Sequence, residues 1–300
     1  MENQVKRGSL EMAGAMLISG TIGWFVLVSG QPVLDVVFWR CLFGAATLLL
    51  ICAFMGLLRP GLLNWQIFLW AALSGVAIVG NWILLFAAYS RASIGIATAV
   101  YNTQPFMLVG LGALFLGEKV TLDKMAWLSL AFIGMLAITQ SHGGSGYGGK
   151  AYLAGIALAL GAAFLYAIAA LLVKRLTGTA PHLIALIQVC VGILMLAPLA
   201  DFTGLQEHSV SSWSVLLALG VVHTGFMYVL LYGAIQKLPV ALTGALSFIY
   251  PIVAIIVDWV AFGHRLQWMQ WFGVATILLA AAAMRQGWTL KRLPSMNKCD

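Results

Sequence analysis

Two short stretches place hydrogen-bonding side chains and a proline in the middle of apolar runs. VYNTQPFM (Val100 to Met107) holds Tyr101, Asn102 and Gln104 beside Pro105, and LSFIYPIV (Leu246 to Val253) holds Ser247 and Tyr250 beside Pro251. None of these groups is a strong acid or base at neutral pH, so the chemistry they offer is donation and acceptance of hydrogen bonds. Ala97, Tyr101 and Gln104 share one helical face by their spacing of four and three, as do Thr243, Ser247 and Tyr250. Proline inside a helix removes one hydrogen bond and crowds the carbonyl four residues back, here that of Tyr101 or Ser247. Two kinked helices are therefore predicted, with Pro105 and Pro251 as hinges and both polar faces lining one central cavity.

Ionisable groups are scarce in the apolar runs. Arg40 lies inside one, toward its outer end, where a guanidinium would attract a carboxylate. Asp258 lies near the outer end of another and is a candidate partner for Arg40 in a gate. His223 is placed within a third and could sense or carry a proton. Asn81, Trp82, Trp24, Tyr166 and Tyr228 are further candidates for contact with a solute. Their rings offer a flat apolar surface and a face for an ammonium group. The remaining histidines (142, 182, 208 and 264) sit in separate loops without ligand spacing, so neither a metal site nor a catalytic cluster is expected. No glycine-rich phosphate loop with its lysine is present. The reading is of a protein that is not an enzyme and uses no cofactor. Cys41, Cys52, Cys190 and Cys299 lack metal spacing and read as small packing residues.

What positions these groups follows from composition. The chain is 62% hydrophobic and 8% charged, against about 25% charged in soluble domains. Lipid is the solvent such a surface requires. Apolar stretches near the 20 residues that span a bilayer fall at 11–30, 33–57, 66–89, 94–116, 121–140, 152–173, 182–200, 213–235, 240–262 and 268–286. They are continuous and rich in Leu, Ala and Gly, unlike the alternating ten-residue strands of a membrane barrel. Lys6, Arg7, Arg59, Lys119, Lys124, Lys174, Arg175, Lys237, Arg285, Lys291, Arg292 and Lys298 gather at one set of span ends, and only Arg91, Lys150 and Arg265 at the other. That bias puts both termini in the cytoplasm. It also accounts for the net charge of +7 without a nucleic-acid partner.

An internal repeat organises the spans. At an offset of 146 residues Ala88 meets Ala234, Arg91 meets Lys237, Ala99 meets Ala245, Pro105 meets Pro251 and Gly117 meets Gly263. The division is a first five-span unit at 1–142, a glycine-rich linker at 143–150, a second five-span unit at 151–290 and a tail at 291–300. An odd number of spans per unit inverts the second relative to the first. Inverted repeats around a midplane site mark secondary carriers.

Spans so arranged, a proline in the fourth and ninth, and LGEK (Leu116 to Lys119) after the fourth resemble the drug/metabolite transporter superfamily, and within it the EamA-like exporters. The second unit departs to FGHR (Phe262 to Arg265). The resemblance implies an all-α integral membrane protein of ten helices in two inverted repeats. It implies export of a small molecule by alternating access from a bacterial inner membrane. The chain is most similar to bacterial amino-acid exporters, the aromatic group included. The spans lack a central carboxylate, so facilitated movement down a gradient is expected, from a functional monomer. Multidrug or sugar and nucleotide-sugar efflux, an integral-membrane enzyme and a passive channel are the alternatives.

Overall fold

The computed structural model describes the chain except residues 1, 60–62, 93–96, 98–99, 141–149, 201–208, 263–267 and 290–300. The described residues are helical, in chain order α1 (Glu2–Ser19), α2 (Ile22–Ser29), α3 (Val33–Phe54), α4 (Trp65–Ala92), α5 (Gln104–Leu116), α6 (Leu122–Gln140), α7 (Lys150–Arg175), α8 (Pro181–Leu196), α9 (Val210–Gly220), a π-helical turn (Val221–Phe226), α10 (Met227–Lys237), α11 (Val240–Ser247), α12 (Ile249–Phe262) and α13 (Trp268–Gln286). Helix is what lipid demands, since it satisfies every backbone group within one segment. Exposed large apolar side chains, such as Leu50, Phe54, Trp65, Leu114, Val260 and Trp268, cover the outside. Small and polar residues are packed inside.

Among the described residues, five runs are long and apolar enough to cross a membrane: Asn3–Val26, Val33–Phe54, Trp65–Ala88, Tyr152–Arg175 and Val210–Lys237. Gln104–Leu116, Pro181–Leu196, Val240–Val253 and Trp271–Met284 are apolar but shorter. Of the linker expected at 143–150, only Lys150 is described, and it opens α7; the tail expected at 291–300 lies outside the described residues.

Three expected spans are interrupted. The first breaks at Gly20–Thr21, between α1 and α2. The fourth turns at residues 102–103, and the ninth at Phe248. Each interruption of the last two comes two to three residues before the proline, within one turn of it. The expected mid-helix kink is thus corrected to a stop and a restart: Pro105 occupies the first turn of α5 and Pro251 that of α12. Proline is favoured there because its missing N–H has no partner to lose and its φ is already helical.

Helices pair across the two halves. α4 packs on α7, α1 on α10, α3 on α8, α5 on α11, and α6 on α13. Close backbone approach is enabled at particular glycines. A methyl group on Gly220 would stand 2.3 Å from Phe43 Cβ, and one on Gly44 2.7 Å from Thr224 Cγ2. These contacts lock α3 against the π-helical turn. Gly244 lies on Pro105, where the added carbon would meet Pro105 Cβ at 3.0 Å, so the two interrupted segments cross at their breaks.

One end of the bundle collects both described chain ends. Glu11 bonds Lys237 at 2.5 Å and Arg7 at 3.0 Å. The Glu118 carboxylate accepts from the Val240 N–H, at 3.2 Å to each oxygen, and so caps α11. Arg175 donates to the Phe115 carbonyl and Trp127 to the Trp288 carbonyl.

Candidate functional site

Arg40 is the centre. Its side chain is 1% exposed, well inside the bundle. Nε donates to Thr224 Oγ1 at 3.0 Å, Nη2 reaches the His223 carbonyl at 3.4 Å, and the guanidinium lies 4.2 Å from the centre of the Trp82 ring. The close contact at Gly44 and Gly220 sets this geometry, because Gly44 is one turn beyond Arg40 on α3. Among the described residues Arg40 has no carboxylate within ion-pairing distance; the ion pairs found join Glu11 to Arg7 and to Lys237. The side chain of Asp258, its expected gate partner, lies outside the described residues.

Around the guanidinium stands an aromatic wall. Trp82 Nε1 donates to Tyr228 OH at 3.0 Å, with the two rings edge to face at 5.6 Å. Tyr228 meets Tyr232 at 5.2 Å. Tyr101 meets Tyr166 at 6.2 Å, and its hydroxyl accepts from Asn81 Nδ2 at 3.3 Å. Asn81 also donates to the Ala162 carbonyl at 2.7 Å, tying α4 to α7. Tyr101, Tyr166, Tyr228, Asn81 and Trp82 are all buried.

At the α5 break the side chains of Asn102 and Gln104 are buried, 0% and 6% exposed. Gln104 Oε1 has no hydrogen-bond partner among the described residues. A buried amide oxygen left so costs about 1–3 kcal/mol. The ninth-span counterparts differ. Thr243 donates to the Pro239 carbonyl at 3.1 Å and Ser247 to the Gly244 carbonyl at 2.6 Å, both on their own segment. Tyr250 is half-buried.

His223 sits in the π-helical turn, whose extra residue per turn re-aims side chains. Its Nδ1 is 3.2 Å from the Ala218 carbonyl and its Nε2 2.8 Å from Thr21 Oγ1. A carbonyl only accepts, so Nδ1 carries hydrogen, while the Thr21 hydroxyl donates to the Ile18 carbonyl at 2.7 Å. An open groove of about 380 Å³ reaches this ring between Leu17, Ile18, Thr21, Phe25, Ala218 and Val222. Trp24 is half-buried against Phe25 at 4.9 Å, and Phe25 in turn meets the His223 ring at 4.6 Å.

Five polar residues were not singled out by the sequence reading: Thr21, Thr224, Ser74, Gln188 and Tyr232. Each is bound to another helix. Tyr232 donates to Gln188 Oε1, and Gln188 Nε2 donates to Ser74 Oγ at 2.6 Å. A signal was available in one case. Tyr232 follows Tyr228 by four residues, hence on the same face.

The model for the EamA-like transporter family matches this chain twice, at residues 6–140 and 153–285. Among similar proteins are two from Bacillus subtilis (strain 168). Uncharacterized transporter YxxF is 29% identical, over 93% of this chain and 90% of that protein. Uncharacterized transporter YetK is 26% identical, over 90% and 83%. Uncharacterized transporter PA0485 of Pseudomonas aeruginosa is 29% identical, over 90% and 91%. A solved crystal structure superposes with a TM-score of 0.78 over 92% of this chain and 96% of its own, at 20% identity. That likeness speaks for the fold alone.

Proposed function

Because the chain belongs to the EamA-like transporter family, and is thus a membrane transporter, we propose that it exports small zwitterionic amphipathic metabolites, amino acids foremost, including aromatic and apolar ones. The observation that carries this reading is Arg40: a guanidinium sealed in the bundle under Trp82, with no carboxylate partner among the described residues. An uncompensated buried charge costs several kcal/mol. Thr224 and the indole face offset part of that, and a solute carboxylate would supply the rest. The acceptor Gln104 Oε1 suits the ammonium end, and Trp82, Tyr101, Tyr166 and Tyr228 suit an apolar or aromatic body. A cationic drug would meet repulsion from Arg40, which disfavours the multidrug alternative.

The packing supports alternating access. The pairings α4 with α7 and α1 with α10 exchange under the repeat, while α3 with α8 and α6 with α13 map onto themselves. Trp82 and Tyr228 are separated by the repeat offset of 146 and bond each other, as expected near a twofold axis. These features support ten spans in two inverted repeats, with the breaks before Pro105 and Pro251 as hinges. The side chains of the site touch one another, so they must part to admit a solute. The charge bias supports both termini in the cytoplasm of a bacterial cell and the carrier in its inner membrane. We read it as a monomeric facilitator.

The test is counterflow of labelled phenylalanine, leucine and glutamate into liposomes holding the purified protein, with and without a pH gradient. Saturable, gradient-independent exchange of phenylalanine or leucine supports the reading; exchange of none of the three refutes the amino-acid assignment.

A further inference from the structure

Thr224, Tyr228, Tyr232 and Gln236 recur every four residues along the eighth span. Each bonds a different element: Thr224 to Arg40 on α3 at 3.0 Å, Tyr228 to Trp82 on α4 at 3.0 Å, and Tyr232 to Gln188 on α8. Gln236 donates to the carbonyls of Leu176 and Thr179, between α7 and α8, at 3.2 and 3.0 Å. At about 1.5 Å per residue the row runs for about 18 Å, from the Arg40 centre to the end of the bundle that holds both described chain ends. Thr224, Tyr228 and Tyr232 are 0%, 6% and 2% exposed. A polar row at this depth in lipid commonly marks a solute route.

From this row we propose a second solute station at Tyr232, Gln188 and Ser74, roughly one helical turn from the Trp82–Tyr228 pair on the side of the termini. This deepens, and rests on, the carrier reading above. The three groups form a directed chain. Tyr232 OH donates to Gln188 Oε1, Gln188 Nε2 donates to Ser74 Oγ at 2.6 Å, and Ser74 donates to the Ala71 carbonyl at 2.8 Å. The second N–H of Gln188 and a lone pair of the Tyr232 oxygen remain for a ligand. One donor and one acceptor side by side match a carboxylate and an ammonium on the same solute. The Tyr228–Tyr232 ring contact joins the station to the Arg40 site. A polar chain is not needed as a clamp here. α4 and α8 already meet at Gly75, where an added carbon would lie 2.9 Å from Gln188 Cα.

Thiol labelling tests the station. Ser74→Cys is placed in a chain whose four native cysteines are replaced by alanine, reconstituted in liposomes, and exposed to a membrane-impermeant thiosulfonate. Modification is expected from the side of the termini only, slowed at least fivefold by saturating phenylalanine. Should Ser74→Cys fail to fold, Gln188→Cys takes its place with the same expectation. A protein that exchanges phenylalanine but is not modified, or is modified at a rate phenylalanine leaves unchanged, overturns the station while leaving the carrier reading intact. For a protein that exchanges no amino acid, modification from that side alone upholds the aqueous route, and no modification overturns it.

Discussion

Replacing Arg40 by glutamine separates recognition of the carboxylate from general disruption of the bundle. The substitution removes the charge and the cation–π contact at 4.2 Å but disturbs few neighbours. Thr224 keeps its hydroxyl bond to the Leu219 carbonyl at 2.9 Å, and Trp82 keeps Tyr228 at 3.0 Å. A hydrogen bond to a charged group contributes about 1.5–3 kcal/mol. At 1.4 kcal/mol per decade that is a loss of about 10- to 150-fold in affinity for any solute whose carboxylate meets Arg40. Phenylethylamine, which lacks the carboxylate, should lose nothing or gain, since a repelling cation has gone. The assay is competition by each compound against labelled phenylalanine in counterflow, for wild type and Arg40→Gln. Phenylalanine affinity within threefold of wild type would refute the assignment of Arg40 to the carboxylate. So would equal losses for both compounds, which would point to collapse of the aromatic wall.

Three further outcomes test the frame around the site. Gly220→Ala, whose new carbon would sit 2.3 Å from Phe43 Cβ and 3.0 Å from the Gly44 nitrogen, should lower thermal stability by about 1–3 kcal/mol; Gly23→Ala, with nothing within 4 Å, should be neutral or stabilising by up to about 1 kcal/mol. Pro105→Ala should change stability by less than about 1 kcal/mol, because first-turn proline contributes mainly preorganisation, yet slow counterflow as the α5 break loses definition; unchanged transport would remove Pro105 from the hinge. Glu118→Ala should cost about 1 kcal/mol in unfolding measurements through loss of the α11 cap, and Glu118→Gln about half of that, since the amide oxygen still accepts from Val240.

The sequence discloses the ingredients of this site better than their arrangement. The interrupted fourth and ninth segments were legible because proline and amides are costly in lipid, so their presence at Tyr101–Pro105 and Ser247–Pro251 demanded an explanation. Arg40 stood out for the same reason. Its partners did not, because they depend on how α3 seats on the π-helical turn. That seating is decided by Gly44 and Gly220, two among 32 glycines. Thr224 and Gln188 were passed over because threonine and glutamine in a span are ambiguous until the facing helix is known. Ser247 and Thr243 donate their hydroxyls to carbonyls of their own segment, a local pairing that spacing alone does not disclose. The break of the first span at Gly20–Thr21 has a weak signature, one glycine in an apolar run, and the partner that makes it matter, His223, is 202 residues away.

Duplication relates the packing of the two halves without making them chemically alike. Arg40 belongs to the first half and Thr224 to the second. Gln104 keeps an open acceptor at the fourth-span break, while Tyr250, its repeat counterpart, offers a ring. Trp82 faces Tyr228 as indole to phenol. Under the inverted-repeat reading the hinges are near-equivalent, so the two access states can be close in energy, as a carrier requires. On the proposed function the solute, by contrast, meets a site with a cationic end and an acceptor end. A carrier with this polarity should hold its solute in one orientation throughout the cycle, with the carboxylate at Arg40. Chemical discrimination then rests on residues outside the symmetry and movement on residues within it. Substitutions at Arg40 and Gln104 should therefore change which solutes compete, whereas substitutions at Pro105, Gly244 and Pro251 should change the rate for all solutes alike.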